Sequence, residues 1–339
     1  GRGGFGEVFK ARDVKAGQVV AIKRLQKSQY ADRFKREARA LSQLNDSSIV
    51  RFISFFEKEM GGCKHAFFVM AYLDGMPDKT LRDELMRANG KSLPRNLVIR
   101  AFARYAHGLS VLHAKGIVHR DIRPAKLYFP TDANDRAVIM DLGIVNNDDS
   151  SVAAPPPPPN LDYIPPEVVY GSPWDARGDV YALGLSLYEA LSGETAYPCL
   201  PTGVEGLRKL IKRAHDKTRP NLDESSYSDL PDLVRLVREM TEPDVTKRLK
   251  DAAEVERRLR ALFPSEEEAV CLEVDNPDLQ PLYAAPSYAH SYEKVEFESN
   301  DDEASTIDDG PYWNWNSDEG KKALARHWRN QRLVQLCSY

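Results

Sequence analysis

Apolar residues recur at strand spacing early in the chain and at helical spacing later. Residues 7–12 (Glu-Val-Phe-Lys-Ala-Arg) and 18–25 (Gln-Val-Val-Ala-Ile-Lys-Arg-Leu) predict two strands joined by the turn sequence Asp13-Val-Lys-Ala-Gly17. Residues 50–57 and 65–73 predict two more strands. Between these pairs, Phe34, Ala38 and Leu41 lie at helical spacing among charges, which predicts a helix over 29–44. Beyond Asp74 the helical period dominates, with helices predicted over 97–115, 179–192, 206–216 and 230–241. The pattern is that of an α+β chain, a small strand-rich part followed by a larger helical one, without an internal repeat.

Composition narrows the picture. The 339 residues are 42% hydrophobic and 29% charged, enough for one large core or two modest ones. No apolar run approaches the roughly 20 residues that a membrane helix needs, so no membrane contact is expected. The chain opens at Gly1 without a signal-like segment and reads as a fragment. Cys63, Cys199, Cys271 and Cys337 lie far apart, which excludes a Cys-x-x-Cys pair and fits a reducing, cytoplasmic setting. The net charge of −4 argues against general nucleic-acid binding, but it conceals an asymmetry. Residues 265–339 hold 16 Asp/Glu against 6 Lys/Arg, whereas residues 1–264 hold 35 against 41. An acidic tail, expected to be disordered over 265–310 with a possible terminal helix over 321–336, follows a mildly basic body. Pro155 and Pro159 bound a run of five prolines, either a stiff surface loop or a ligand for a partner's aromatic groove.

Several local motifs carry chemistry. The opening Gly1-Arg-Gly3-Gly-Phe-Gly6-Glu-Val8 has strand-like sequence after it, so the glycine loop is expected to join two antiparallel strands. Such a turn lets backbone N–H groups approach phosphate. In Val20-Ala21-Ile-Lys23, Ala21 and Lys23 share a strand face. A lysine among apolar neighbours needs an anionic partner. Phosphate oxygens or Glu37 on the following helix would serve; taken alone, both residues also suit an ordinary solvated surface. Residues 119–126 read His-Arg-Asp-Ile-Arg-Pro-Ala-Lys, and residues 137–143 read Ala-Val-Ile-Met-Asp-Leu-Gly. Asp121 is a candidate proton acceptor. Asp141, at a strand end, is suited to a hard cation such as Mg²⁺.

Taken in order, these pieces resemble the protein kinase family: the glycine loop, Val-Ala-Ile-Lys, a helix glutamate, His-Arg-Asp, Asp-Leu-Gly for Asp-Phe-Gly, and Pro165-Pro-Glu167 for Ala-Pro-Glu. Asp179-Val-Tyr-Ala-Leu-Gly184 resembles the buried helix of the large lobe, and Arg248 the arginine that pairs with Glu167. The resemblance covers residues 1–264, with part of the first strand missing. Small-molecule kinases generally lack the Pro-Glu segment and its arginine partner.

The resemblance implies a bilobal protein-kinase-like fold: a β-rich N-lobe and hinge over 1–73, a helical C-lobe over 74–264, and the tail over 265–339. ATP would lie between the lobes. Gly1, Gly3 and Gly6 would cover its phosphates, Val8 would pack on adenine, and Ala21 would belong to the same nucleotide site. Lys23, held by Glu37, would bind the α- and β-phosphates. Met70 would be the gatekeeper before the hinge Ala71-Tyr72-Leu73. Asp121 would be the catalytic base, and Asp141 would bind Mg²⁺, or Mn²⁺ in its place. Arg120 would bind a phosphorylated loop, with Ser150 or Ser151 as the phosphate carrier, or Asp148 and Asp149 as built-in charge. Arg123-Pro124 resembles the Lys-Pro of serine/threonine kinases and keeps a cation near the transferred phosphate.

Three residues depart from the family pattern. Lys126 stands where an asparagine ligates the second Mg²⁺; it would either salt-bridge a phosphate or swing to solvent. Asn160 replaces a threonine, and Leu142 replaces phenylalanine. Two functions follow: a protein serine/threonine kinase acting on protein substrates, or a pseudokinase that binds nucleotide or a partner with little transfer. In either case the acidic tail is a candidate regulator of the basic body.

Overall fold

A computed structural model describes residues 2–3, 6–13, 16–25, 41–42, 44–60, 63–75, 78–130, 136–141, 161–201, 203–262 and 296–297. Gly1, Glu37, Leu142, Ser150, Ser151, the proline run, Asn160, most of the 29–44 helix and nearly all of the tail lie outside these residues. Five strands, β1 (Arg2–Gly3), β2 (Gly6–Asp13), β3 (Gln18–Leu25), β4 (Phe52–Met60) and β5 (Cys63–Ala71), follow the order β1-β2-β3-β5-β4 in a six-stranded antiparallel sheet. The glycine loop joins antiparallel strands as expected, with Arg2 opposite Glu7 and Gly3 opposite Gly6. Between β2 and β3 the chain reverses at Gly17, whose φ of +69° suits a residue without Cβ. Its N–H donates to the Asp13 carbonyl at 2.8 Å.

The strand period sorts this sheet into two faces. Val20, Ile22, Phe67 and Val69 pack with Ala11 on one face, where the Phe56 and Phe67 rings stack at 4.9 Å. The alternate residues Val8, Ala21, Phe68 and Met70 join the core of the helical part. Lys23, paired with Val8 and Phe68, has the parity of this second face. The alternation that buries Ile22 thus turns Lys23 toward the rest of the molecule.

The helical part comprises α1 (Leu81–Ala88), α2 (Arg95–Ala114), α3 (Pro166–Val169), α4 (Ala176–Ser192), α5 (Gly203–His215), α6 (Pro231–Met240) and α7 (Ala252–Arg260). Helix α4 is central: it is buried almost all round, from Gly178 to Leu191. Asp175 caps its first turn, and Gly193 ends it in a left-handed conformation. Gly184 lets α6 approach, since a Cβ there would lie 2.7 Å from Met240 Cβ. A two-stranded hairpin, β6 (Leu127–Tyr128) with β7 (Val138–Ile139), lies beside α2, and a short strand β8 (Glu296–Phe297) pairs with Ala11 and Arg12 of β2.

The four helices predicted beyond Asp74 are present with shifted ends. The 97–115 helix begins at Arg95, and the 179–192 helix begins at Ala176 behind its Asp175 cap. Helices α1, α3 and α7 were not predicted; α1 starts at a capping box formed by Thr80 and Asp83. One polar tie links distant segments: His107 on α2 lies 3.0 Å from Asp46 and 3.1 Å from Glu256 of α7. Hydrogen bonds to Asp46 and Glu256 outweigh partial burial and push His107 up to about 10, so the ring is a cation at neutral pH. No described helix is long and apolar enough to cross a membrane.

Candidate active site

Three segments converge below the sheet: Lys23 from β3, the loop 119–126 after α2, and Asp141 just beyond β7. The loop is hung from α4. Asp179, fully buried in that helix, accepts from the backbone N–H of His119 at 2.7 Å and of Arg120 at 2.8 Å. Trp174 Nε1 donates to the same carboxylate at 3.2 Å, and His113 Nε2 lies 2.9 Å away. These contacts hold Arg120 at φ +62°, a costly conformation for a residue with a side chain. His119 is buried, which lowers its pKa and keeps the ring neutral. Its Nδ1 accepts from the Asp121 N–H at 3.2 Å, so Nε2 carries the proton and donates to the Met140 carbonyl at 3.1 Å. One imidazole therefore spans the segments that present Asp121 and Asp141.

Asp121 Oδ1 accepts from Arg123 Nε at 3.0 Å, and its side chain is 12% exposed. Arg123 is extended and leads into the tight turn Pro124–Lys126. The Lys126 N–H donates to the Arg123 carbonyl at 2.8 Å, and the Lys126 carbonyl accepts from the Met140 N–H at 2.9 Å. This second bond fixes Lys126 against the residue preceding Asp141.

Asp141 is the electrostatic centre. Its Oδ1 accepts from Lys23 Nζ at 3.0 Å, and its Oδ2 is ion-paired with Lys126 Nζ. Burial opposes ionisation, but the two ammonium groups more than offset it and hold the Asp141 carboxyl well below the usual carboxylate range. Asp141 has a φ of +49°, a second strained position in this small site. Among the described residues, the carboxylate on Lys23 is Asp141; Glu37, the expected partner, lies outside them. Lys126 does not swing to solvent; its side chain is 14% exposed and rests on Asp141.

Val8, Ala21 and Leu73 are half-buried and pack on the same core as Met70, which is 7% exposed. The Ala71 N–H donates to the Arg51 carbonyl at 2.9 Å, so that hinge donor is already used. Gly3 and Gly6 sit opposite one another where β1 meets β2. For a divalent cation, the donor set is narrow. Among the described residues no group of three or more His, Cys, Asp or Glu could hold a metal. Asp141 fits a cation that arrives with phosphate oxygens, the usual manner for Mg²⁺. Lys126 does not fit one, because an ammonium has donors and no lone pair.

Beneath the segment 161–170 lies a pair that the sequence did not reveal. The Tyr163 hydroxyl donates to Glu189 of α4, with its oxygen 2.9 and 3.1 Å from the two carboxylate oxygens, and the Ala196 N–H donates to Oε1 at 3.3 Å. Burial pushes Glu189 up to about 7, and burial with the Glu189 charge raises Tyr163. Asp162 adds to the rise at Glu189, while Tyr163, Ala196 and Arg82 oppose it. A carboxyl raised from about 4.5 to about 7 favours the protonated native state, so stability falls as pH rises through that window. The full loss above it is about 3 kcal/mol. Glu189→Gln is expected to flatten this slope in urea unfolding between pH 4.5 and 8. An unchanged slope would refute the assignment.

The Pro165-Pro-Glu167 segment is anchored as expected. Arg248, whose side chain is fully buried, bonds Glu167 Oε1 at 2.6 Å and Oε2 at 2.8 Å. Comparison with known proteins agrees with this geometry. The protein kinase domain family matches residues 1–258. Serine/threonine-protein kinase pkn2 of Myxococcus xanthus is 30% identical over 274 residues, covering 77% of this chain and 31% of that protein. Serine/threonine-protein kinase PknB of Mycobacterium leprae is 36% identical over 205 residues, covering 58% and 32%. A probable serine/threonine-protein kinase of Streptomyces coelicolor is 34% identical over 201 residues, covering 57% and 29%. The aligned region thus spans about a third of the length of each of these relatives. With the sheet, the loop carrying Asp121, the paired Asp141 and the Glu167–Arg248 anchor in one chain, this protein belongs to the protein kinase domain family.

Proposed function

We propose that this chain is the catalytic domain of a protein serine/threonine kinase that uses ATP and a divalent cation, Mg²⁺ or Mn²⁺. The observation that carries the proposal is the Lys23–Asp141 bridge, which joins the sheet to the segment beside Asp121. Phosphoryl transfer needs positioning and charge neutralisation more than covalent chemistry, and this bridge supplies both. Lys23 binds phosphate oxygens, and a cation bound at Asp141 would neutralise charge on the transferred group. A substrate hydroxyl oxygen bonds to the γ-phosphorus, the bond from that phosphorus to the bridging oxygen breaks, and ADP leaves. The hydroxyl proton passes to Asp121, which Arg123 orients. The names of the relatives and the Arg123-Pro124 pair support serine and threonine as acceptors.

The test is radiolabel transfer from γ-labelled ATP to a generic basic protein and to the chain itself, with Mg²⁺ and with Mn²⁺. Phosphoserine and phosphothreonine are expected in the hydrolysed product. Phosphotyrosine alone would refute the acceptor assignment. No transfer under either metal would refute the enzyme and leave a nucleotide- or partner-binding module.

A further inference from the structure

Lys126 and Lys23 place a positive charge on each oxygen of a single carboxylate. Among the described residues, these two ammonium groups and the Asp141 carboxylate form a cluster whose own charges sum to +1. The position of Lys126 is set by the backbone. Its N–H is bonded to Arg123 and its carbonyl to Met140, so the residue is clamped at both polar groups. Its side chain is 14% exposed and has Asp141 as its counter-charge. A cation seeking the far side of Asp141 meets an ammonium there instead of a ligand. A triphosphate entering the same space meets two ammonium groups that can accept its negative charge.

We propose that Lys126 is a built-in counter-ion that replaces the second divalent cation, so that this site takes a nucleoside triphosphate with a single divalent cation and keeps its affinity when none is present. The inference rests on the proposed reading of the cleft as a nucleotide site. Lys126 then has a different function from an asparagine at its position. It supplies charge directly to phosphate, and it releases Asp141 to one cation when it does so. The metal dependence of binding is therefore written into residue 126.

Fluorescence titration with a mant-labelled ATP analogue tests this on the full chain, with Mg²⁺ and with EDTA. Manganese binding in the nucleotide complex, read by electron paramagnetic resonance, gives the cation count. The wild-type Kd is expected to change less than about threefold on chelation, with about one Mn²⁺ per nucleotide. Lys126→Asn is expected to lose about tenfold or more in EDTA and to bind a second Mn²⁺. Lys126→Arg, which keeps the charge, is expected to retain binding in EDTA and guards against a folding defect in the asparagine variant. Wild-type binding that depends on Mg²⁺ as strongly as Lys126→Asn, or two Mn²⁺ per wild-type site, overturns the inference and leaves the kinase reading intact. Absence of nucleotide binding in every condition overturns both.

Discussion

Asp121→Ala is expected to slow phosphoryl transfer by about 10²–10⁴-fold, the usual contribution of a positioned proton acceptor. Nucleotide affinity should change little, because the residues assigned to phosphate are Lys23 and Lys126. Asp121 is held for its task from two directions: Arg123 Nε reaches its carboxylate, and its own N–H is bonded to the neutral His119 ring. Removing the carboxylate takes away the acceptor and leaves the loop tied to Asp179. Single-turnover transfer, nucleotide Kd and thermal unfolding of the same preparation check this. Transfer within about threefold of wild type would sink the assignment. A parallel loss of affinity and folding would make Asp121 a structural residue instead.

Arg248→Ala is expected to destabilise the domain by about 3–5 kcal/mol. The guanidinium makes a bidentate pair with Glu167, donates from Nε to the Glu242 carbonyl at 2.8 Å, and lies 4.8 Å from the centre of the Tyr181 ring. Its side chain has no exposure, and that of Glu167 is 9% exposed. Truncating Arg248 leaves the Glu167 carboxylate buried without its counter-charge, and that is the main source of the loss. A domain of this size shifts its midpoint by about 2–4 °C per kcal/mol, so Tm should fall by about 10 °C. Arg248→Lys should rescue little, since an ammonium cannot reproduce the two parallel bonds. The double variant Arg248→Met with Glu167→Gln should be less destabilised than the single truncation, because no charge is then stranded. Differential scanning fluorimetry separates these cases. A shift of less than about 2 °C for Arg248→Ala would refute the anchor.

Much of this architecture is legible along the chain because its chemistry is contiguous. Val20 to Lys23 shows a strand parity, and His119 to Asp121 shows a candidate proton acceptor with its neighbours, before any fold is known. Glu167 and Arg248 were paired across the sequence through family resemblance, and the geometry agrees. The partner of Lys126 was not legible. It depends on a backbone bond from Met140 to Lys126, which carries two segments side by side and has no trace in residue type. Tyr163 and Glu189 escaped for the same reason: a hydroxyl and a carboxylate 26 positions apart give no periodic signal. Helices α1 and α7 did leave a signal, Thr80 with Asp83 and Asp251 with Glu254, but both are short and carry few buried apolar residues.

Helix α4 holds Asp179 near its beginning and Glu189 near its end, about 15 Å apart along its axis. One carboxylate suspends the loop that bears Asp121; the other receives Tyr163 from the segment leading to Pro165. The helix is therefore a ruler cut to a fixed length, and the spacing between the Asp121 loop and the Tyr163 segment is marked on it. Neither mark can slide without unwinding buried turns. On warming, the two loops are expected to keep their separation until the core itself gives way, so the geometry should disappear in one step with the fold and not by gradual drift.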